Sequence, residues 1–282
     1  MTIIYESDPI KFHEQVEPLL LNREAENNLP LGILQRLKEP KGKEFCHMIS
    51  FQDNGKTTFM SIRTPPHLWI IPFLDDVQPT QVQAFARFLF EENHQVPGVL
   101  GERKAVKSFL KEWGMLTGQQ SEKQMEQGIF RLTRLTPIQK HQQGQLIEAD
   151  LSYRLLIEGW LRDYAMETGE AHLSDRAEEL AEDLIGDRRL HLWVIDDVPV
   201  SMASRARTTK NGVTINAVFT PDRYKKRGYA TQAVWHLTEK LLSKGYSFCS
   251  LYTDLSNPAA NSVYEKIGYE KIGESVVYRF TK

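Results

Sequence analysis

The sequence predicts a mixed α/β protein of two lobes, each a central mixed, mostly antiparallel sheet flanked by helices. Three observations lead there. A chain of 282 residues with 41% hydrophobic content has room for two domains with their own cores. Short runs rich in Val, Ile, Phe and Thr alternate with segments whose apolar residues recur at helical spacing. Both halves, taken coarsely, repeat one order: two helices, a hairpin, a third strand, a helix, a strand, a helix and a strand. The boundary is expected after residue 127, giving a first lobe of residues 1–127 and a second of residues 128–282.

The first lobe opens with Asp8 as a helix cap and Pro9 at the first helical position, followed by an apolar face of Phe12, Val16, Leu19 and Leu20. A second helix is expected over Leu31 to Leu37, ended by Pro40. Asn54-Gly55 between two β-rich runs, Phe45 to Phe51 and Thr57 to Ile62, is a hairpin signal, and His67 to Leu74 reads as the third strand. Val82, Phe85, Ala86 and Leu89 mark a helix, Val96 to Leu100 a short strand, and Val106, Phe109, Leu110 and Trp113 a further helix. Gly128 to Leu135 reads as a strand, and Thr136 to Gln145 as a connection.

In the second lobe, Leu156, Ile157, Trp160, Leu161 and Tyr164 form one helical face, and a second helix is expected to be capped by Asp175 with Glu178 three residues on. Leu190 to Ile195 and Val200 to Arg207 flank a turn at Asp196-Asp197. Asn211-Gly212 turns the chain into a strand that ends near Phe219, and a helix with Ala230, Ala233, Val234, Leu237 and Leu241 runs to Gly245. Tyr246 to Thr253 is a strand, Pro258 to Ile267 a helix stopped by Gly268, and Tyr269 to Phe280 a last strand or strand pair.

Composition excludes several classes. With 35 Lys+Arg against 37 Asp+Glu, the net charge of −2 gives no general attraction to nucleic acid or an anionic membrane. The densest apolar run, Leu68 to Leu74, is too short to span a bilayer, and the first residues carry Glu6, Asp8, Lys11 and Glu14 without an apolar stretch, so a cytoplasmic protein is expected. Cys46 and Cys249, the two cysteines, are far apart and read as buried thiols. The eight histidines show no metal-ligand spacing, so no metal is expected, and His236 reads as a packing or surface residue.

Chemistry is concentrated in two stretches of the second half. In the first, a strand ending Ala217-Val218-Phe219-Thr220 passes through a basic turn, Lys225-Lys226-Arg227, to Gly228 and the helix start Tyr229-Ala230-Thr231. A helix start exposes N–H groups without intrahelical partners and the positive end of the helix dipole, and a glycine there lets a phosphate approach closely. The second stretch is Asn257-Pro258-Ala259-Ala260-Asn261, continuing to Tyr264 and then Gly268-Tyr269. Tyr264 shares a helix face with Ala260 and Ile267, which by pattern alone describes a core tyrosine.

Together these stretches resemble the GNAT superfamily of acyl-CoA-dependent N-acyltransferases. Its loop pattern, Gln or Arg, two residues, Gly, one residue, Gly or Ala, is matched by Lys225, Gly228 and Ala230, with Lys225 departing from the usual first residue. Its later pattern, Asn, then a Tyr seven residues on, then a Gly-aromatic pair, is matched by Asn257, Tyr264, Gly268 and Tyr269.

The resemblance implies acetyl-CoA as co-substrate, held at its pyrophosphate by the backbone from Lys226 through Thr231. Its pantetheine arm would lie along Ala217, Val218 and Thr220, with Phe219 facing the core or the acceptor pocket. Asn257 and Asn261 would contact the arm, and Tyr264 would protonate the leaving thiolate. The implied acceptor is a primary amine of a small molecule or peptide, attacking directly in a ternary complex. A longer acyl group, as in glycine N-acyltransferases, or a non-catalytic acyl-CoA-binding protein are the alternatives. The proton acceptor stays open among Glu167, Glu170, Glu270, Glu274 and a water chain.

In the first half, Asp75 and Asp76 stand where the basic loop would be, so this lobe is expected to be a degenerate GNAT-like scaffold without CoA, the two carboxylates serving as helix caps. One CoA per chain and an acceptor pocket near the lobe junction are expected.

Overall fold

A computed structural model describes residues 1–39, 44–139 and 144–281. The chain divides into two compact units. The first comprises Met1–Ile129, Thr253–Asn257 and Lys271–Lys282, and the second Phe130–Tyr252 and Pro258–Glu270.

The first unit runs β1 (Thr2–Glu6), α1 (Pro9–Leu21), α2 (Asn28–Leu37), β2 (His47–Asp53), β3 (Lys56–Arg63), β4 (Trp69–Ile71), α3 (Pro79–Glu91), β5 (Gly98–Glu102), α4 (Arg103–Thr117) and most of β6 (Gln120–Leu132). Asp8 caps α1 by accepting from the N–H groups of Ile10 and Lys11, with Pro9 in the first turn. The Asn54-Gly55 turn forms because both residues take positive φ, 49° and 78°, which asparagine tolerates and glycine adopts freely. Strand β1 was not evident in the sequence and pairs antiparallel with β2. Asp75 and Asp76 do not cap α3: Gln78 is the N-cap, in a reciprocal capping box with Gln81. Pro40, expected to end α2, and Lys140 to Gln143 of the expected connection lie outside the described residues.

The second unit runs β7 (Gly144–Glu148), α5 (Arg154–Thr168), α6 (Ala171–Ser174), α7 (Ala177–Gly186), β8 (Leu190–Ile195), β9 (Val198–Thr208), β10 (Gly212–Phe219), α8 (Tyr229–Ser243), β11 (Phe248–Asp254, of which residues 253 and 254 group with the first unit) and α9 (Pro258–Ile267). The sheet order is β11-β10-β9-β8-β7. All neighbours are antiparallel except β10 and β11, which are parallel. One core cluster, with Ala233, Val234, Leu237 and Tyr264, lies under α8 and α9. Another, with Ile157, Trp160, Leu161 and Ala181, lies under α5 and α7. Strand β7 occupies part of the segment expected to be a connection. Asp175 closes α6 instead of opening α7, whose N-cap is Arg176.

The division of the chain departs from the single expected boundary, in ways that periodicity does not encode: Thr253–Asn257 and the segment from Lys271 both group with the first unit. The last strand, β12 (Glu270–Thr281), follows the second unit in sequence, yet Lys271 onward belongs to the first. Ser275 to Arg279 pair antiparallel with Glu102 to Gly98 of β5. Close approach is possible because Gly98 lacks a Cβ, which would stand 2.1 Å from the Tyr278 carbonyl oxygen. Conversely, Phe130 and Leu132, at the end of β6, pack in the core under α8.

Buried ionisable groups set an acid limit on stability. His191 on β8 is 3% exposed, with Nε2 2.9 Å from Lys240 Nζ. Burial first, and then the Lys240 charge, push its pKa down to about 4. The unfolded chain, with a histidine pKa near 6.5, therefore binds a proton that the folded chain refuses between about pH 6.5 and 4. Stability from this site is complete above pH 6.5 and falls as the pH drops toward 4, by on the order of 2–3 kcal/mol. The melting temperature of the parent should drop between pH 7 and pH 4.5. His191→Gln should show a visibly smaller drop, and an equal drop would assign the acid sensitivity elsewhere.

Candidate active site

The site is built around a fault in strand β10. Asn216 pairs with Ser204 and Phe219 with Met202, so Ala217 and Val218 together oppose only Ala203 on β9, a β-bulge. Ala217 accordingly takes a left-handed φ of 46°. The bulge sends successive side chains into different cores: Val218 packs toward α8 and α9, while Ala217 and Phe219 pack toward α5 and α7. Phe219 sits against Trp160, with ring centroids 6.1 Å apart, so it faces the core.

On the other edge of the strand the pairing stops before the bulge, where the register with β9 first shifts between Val213 and Ile215. Strand β10 is paired with β11 only from Gly212 to Thr214. From Ile215 onward the edge that faced β11 has no strand beside it among the described residues, which leaves backbone groups able to pair with an extended ligand. The opposite edge is held firmly. Ser201 Oγ donates to the Phe219 carbonyl at 3.0 Å and lies 2.8 Å from Thr220 Oγ1. Ser201 carried no sequence signal.

Beyond Thr220 the chain makes a short turn at Asp222–Tyr224 and enters α8 through Gly228, which is its N-cap at φ 80°. Lys226 is also left-handed, at φ 63°. Gly228 brings no side chain to cap the helix, so the first turn opens on backbone alone, the arrangement that cradles a phosphate. Lys226 and Arg227 are exposed at this turn, and Tyr229, Ala230 and Thr231 are partly buried. Lys225 bonds to Glu167 and, at 2.8 Å, to Asp222. Burial works against its charge, but these hydrogen bonds outweigh it and hold its pKa above the usual lysine value. Lys225 thus ties the loop to α5 through Glu167.

Tyr264 on α9 is 8% exposed, and its ring meets that of Tyr269 edge-on at 6.1 Å. Burial pushes its hydroxyl up to about 12, so it keeps its proton throughout the neutral range. Asn261 is half-buried one turn earlier on the same helix. Asn257 groups with the first unit, whereas the other named residues lie in the second. His236 stacks on Trp193 at 4.9 Å, a packing role. Both cysteine thiols are buried, and burial pushes each up to about 12. Among the described residues no group of three His, Cys, Asp or Glu is placed to hold a metal, and no helix is long and apolar enough to cross a membrane.

A mixed sheet whose one parallel pair parts beside a glycine-opened helix places an unpaired strand edge next to a free helix start. Residues 155–269, which make up most of the second unit, match the Acetyltransferase (GNAT) family. Several solved structures share the fold along nearly the whole chain. A GNAT-family acetyltransferase from Colwellia psychrerythraea is 11% identical with a TM-score of 0.61, covering 100% of both chains. A GCN5-related N-acetyltransferase from Sphaerobacter thermophilus is 14% identical with a TM-score of 0.62, covering 98% of this chain and 95% of its own. A tandem GNAT protein from the clavulanic acid biosynthesis pathway is 10% identical with a TM-score of 0.58, covering 99% and 98%. No protein of curated function matches the chain in sequence.

Proposed function

We propose that the second unit is an N-acetyltransferase that moves an acetyl group from acetyl-CoA to a primary amine of a small molecule or peptide in a ternary complex. The observation that carries this reading is the unpaired edge of β10 beyond Thr214, leading directly to the uncapped, glycine-opened start of α8. One feature offers pairing to an amide-bearing arm and the other a cradle to a pyrophosphate, so the residues present fit acetyl-CoA. The co-substrate supplies the activated acyl group.

The protein's own residues would do the rest. Backbone N–H groups from Lys226 through Thr231 bind the pyrophosphate, with Lys226 and Arg227 adding charge. The released edge at Ala217, Val218 and Thr220 aligns the arm and offers an N–H to the carbonyl oxygen as charge develops there. Tyr264, a phenol that holds its proton at neutral pH, supplies it to the departing sulfur. Asn261 is proposed to contact the arm.

The first unit is proposed to hold no CoA. Just beyond β4, the backbone of Phe73 is satisfied by the buried Asn27 side chain, which accepts from the Phe73 N–H at 2.9 Å and donates to its carbonyl at 2.8 Å. That side-chain amide takes the backbone groups an arm would need. Strands β4 and β5 also stay in register through Ile71 and Gly101.

The test is turnover of acetyl-CoA with glycine, a short peptide, spermidine and 2-phenylethylamine, followed by thiol release and product mass. Acetylated product from one of them is the expected result. Calorimetric binding of CoA without turnover of acetyl-, butyryl- or benzoyl-CoA would favour a non-catalytic acyl-CoA-binding protein.

A further inference from the structure

The proton acceptor was left open by the sequence, and the structure separates the four glutamates. Glu167 is bonded to Lys225, and Glu274, which lies in the first unit, is paired with Arg103 at 2.7 Å and Lys271 at 2.9 Å. Glu270 is exposed at the start of β12. Glu170 is half-buried just beyond α5 and has no ion pair among the described residues. Other carboxylates of α5 and α7 do have cations: Glu158 is held by Arg154 and Arg162, and Glu178 by Arg154. A carboxylate kept from bulk water without a cation is a poor structural element and a good receiver for an ammonium group.

The position of Glu170 is fixed from two sides. Its N–H donates to the Ala165 carbonyl at 2.9 Å, and Thr168 Oγ1, which donates to the Tyr164 carbonyl at 2.9 Å, lies 3.3 Å from Glu170 Oε2. Tyr164, on the same turn of α5, packs into the core that takes Ala217 and Phe219. Tyr264 packs into the opposite core, the one that takes Val218. The two phenols therefore flank the β10 bulge from opposite faces of the sheet. Burial, and then the nearby Glu170 and Tyr264, push the Tyr164 hydroxyl up, so the three groups act on one another electrostatically.

We propose that Glu170 is the general base of the transferase, binding the acceptor's ammonium group and taking its proton, with Tyr164 as the residue that positions the amine. This rests on the N-acetyltransferase reading. In the step, Glu170 removes one proton from the ammonium, and the freed nitrogen lone pair forms the C–N bond as the C–S bond breaks. Tyr264 gives its proton to the sulfur and regains one from the second N–H of the product nitrogen. Glu170 then releases its proton to solvent, so the balance is one ammonium and one thioester to one amide, one thiol and one proton. Thr168 Oγ1, with its hydrogen turned to the Tyr164 carbonyl, keeps lone pairs to accept from the protonated Glu170.

The test uses the full chain, the best amine of the panel above, and Glu170→Gln, Glu170→Asp and Tyr164→Phe. Glu170→Gln is expected to lower kcat/KM about a hundredfold or more and to remove the acidic limb of its pH profile. CoA affinity by calorimetry should change less than about twofold, and Glu170→Asp should recover part of the rate. A weakly basic acceptor such as a hydrazide, already neutral at pH 7, should lose far less. Tyr164→Phe should raise KM for the amine more than it lowers kcat. A parent enzyme that turns over while Glu170→Gln keeps its rate and pH limb would overturn the role of Glu170 alone. Loss of CoA binding in both Glu170 variants would make it structural and also overturn it. A parent that acetylates no amine would overturn the underlying reading and this assignment with it.

Discussion

Gly228→Leu is expected to weaken CoA binding by about tenfold or more, the equivalent of at least ~1.4 kcal/mol, with the second unit still folded. Gly228 is at φ 80°, where an L side chain costs about 1–2 kcal/mol, and it is the N-cap of α8. A leucine there acts twice: it pulls the turn away from the left-handed form, and it places a side chain where the phosphate approaches the backbone. Helix α8 itself is anchored by Ala233, Val234, Leu237 and Leu241 in the core, so the fold should survive with a modest fall in melting temperature. Calorimetry with CoA checks it. Affinity unchanged in a folded variant would mean that the pyrophosphate is held elsewhere.

Tyr264→Phe should lower kcat by roughly ten- to ten-thousandfold, the usual scale for loss of an acid catalyst, with CoA affinity within about twofold of the parent. The substitution removes one oxygen from a residue that is otherwise core, with Ala233, Val234 and Ile267 in the same cluster, so packing is retained. No hydrogen bond of the Tyr264 hydroxyl to another described residue is lost. Its pKa of about 12 adds a signature: the acid form persists well above neutrality, so the parent rate should show no decline between pH 7 and 9 from this group. Rapid-mixing single-turnover measurements read the chemical step directly. Equal single-turnover rates in parent and variant would reduce Tyr264 to a packing residue.

The two residues proposed to move protons differ in how far the sequence revealed them. Tyr264 was singled out because its spacing from Asn257 and Gly268 resembles the GNAT pattern, a spacing written within a few residues of the chain. Glu170 carried no diagnostic neighbours. Its proposed role rests on having no counter-ion among the described residues, while Glu167 three residues earlier is engaged by Lys225 from a distant loop. Ion pairing is a property of three-dimensional neighbours, so the sequence presented Glu167 and Glu170 as equals.

By itself the sequence determined the repeated order of helices and strands, the hairpin at Asn54-Gly55, the cap at Asp8, the glycine at the start of α8 and the tyrosine of α9. Each rests on a period, a φ preference or a cap chemistry that acts within a few residues. Tertiary structure alone decided three other things. Strand β12 pairs with β5 of the first unit, where Gly98 admits the close approach, and because any strand edge offers the same hydrogen-bonding groups β12 does not name its partner by itself. The bulge at Ala217 exists because β9 supplies one residue opposite two, a count that β10 cannot state for itself. The backbone of Phe73, just beyond β4, is occupied because Asn27, far away in sequence, accepts from its N–H and donates to its carbonyl, a pairing that neither stretch states for itself.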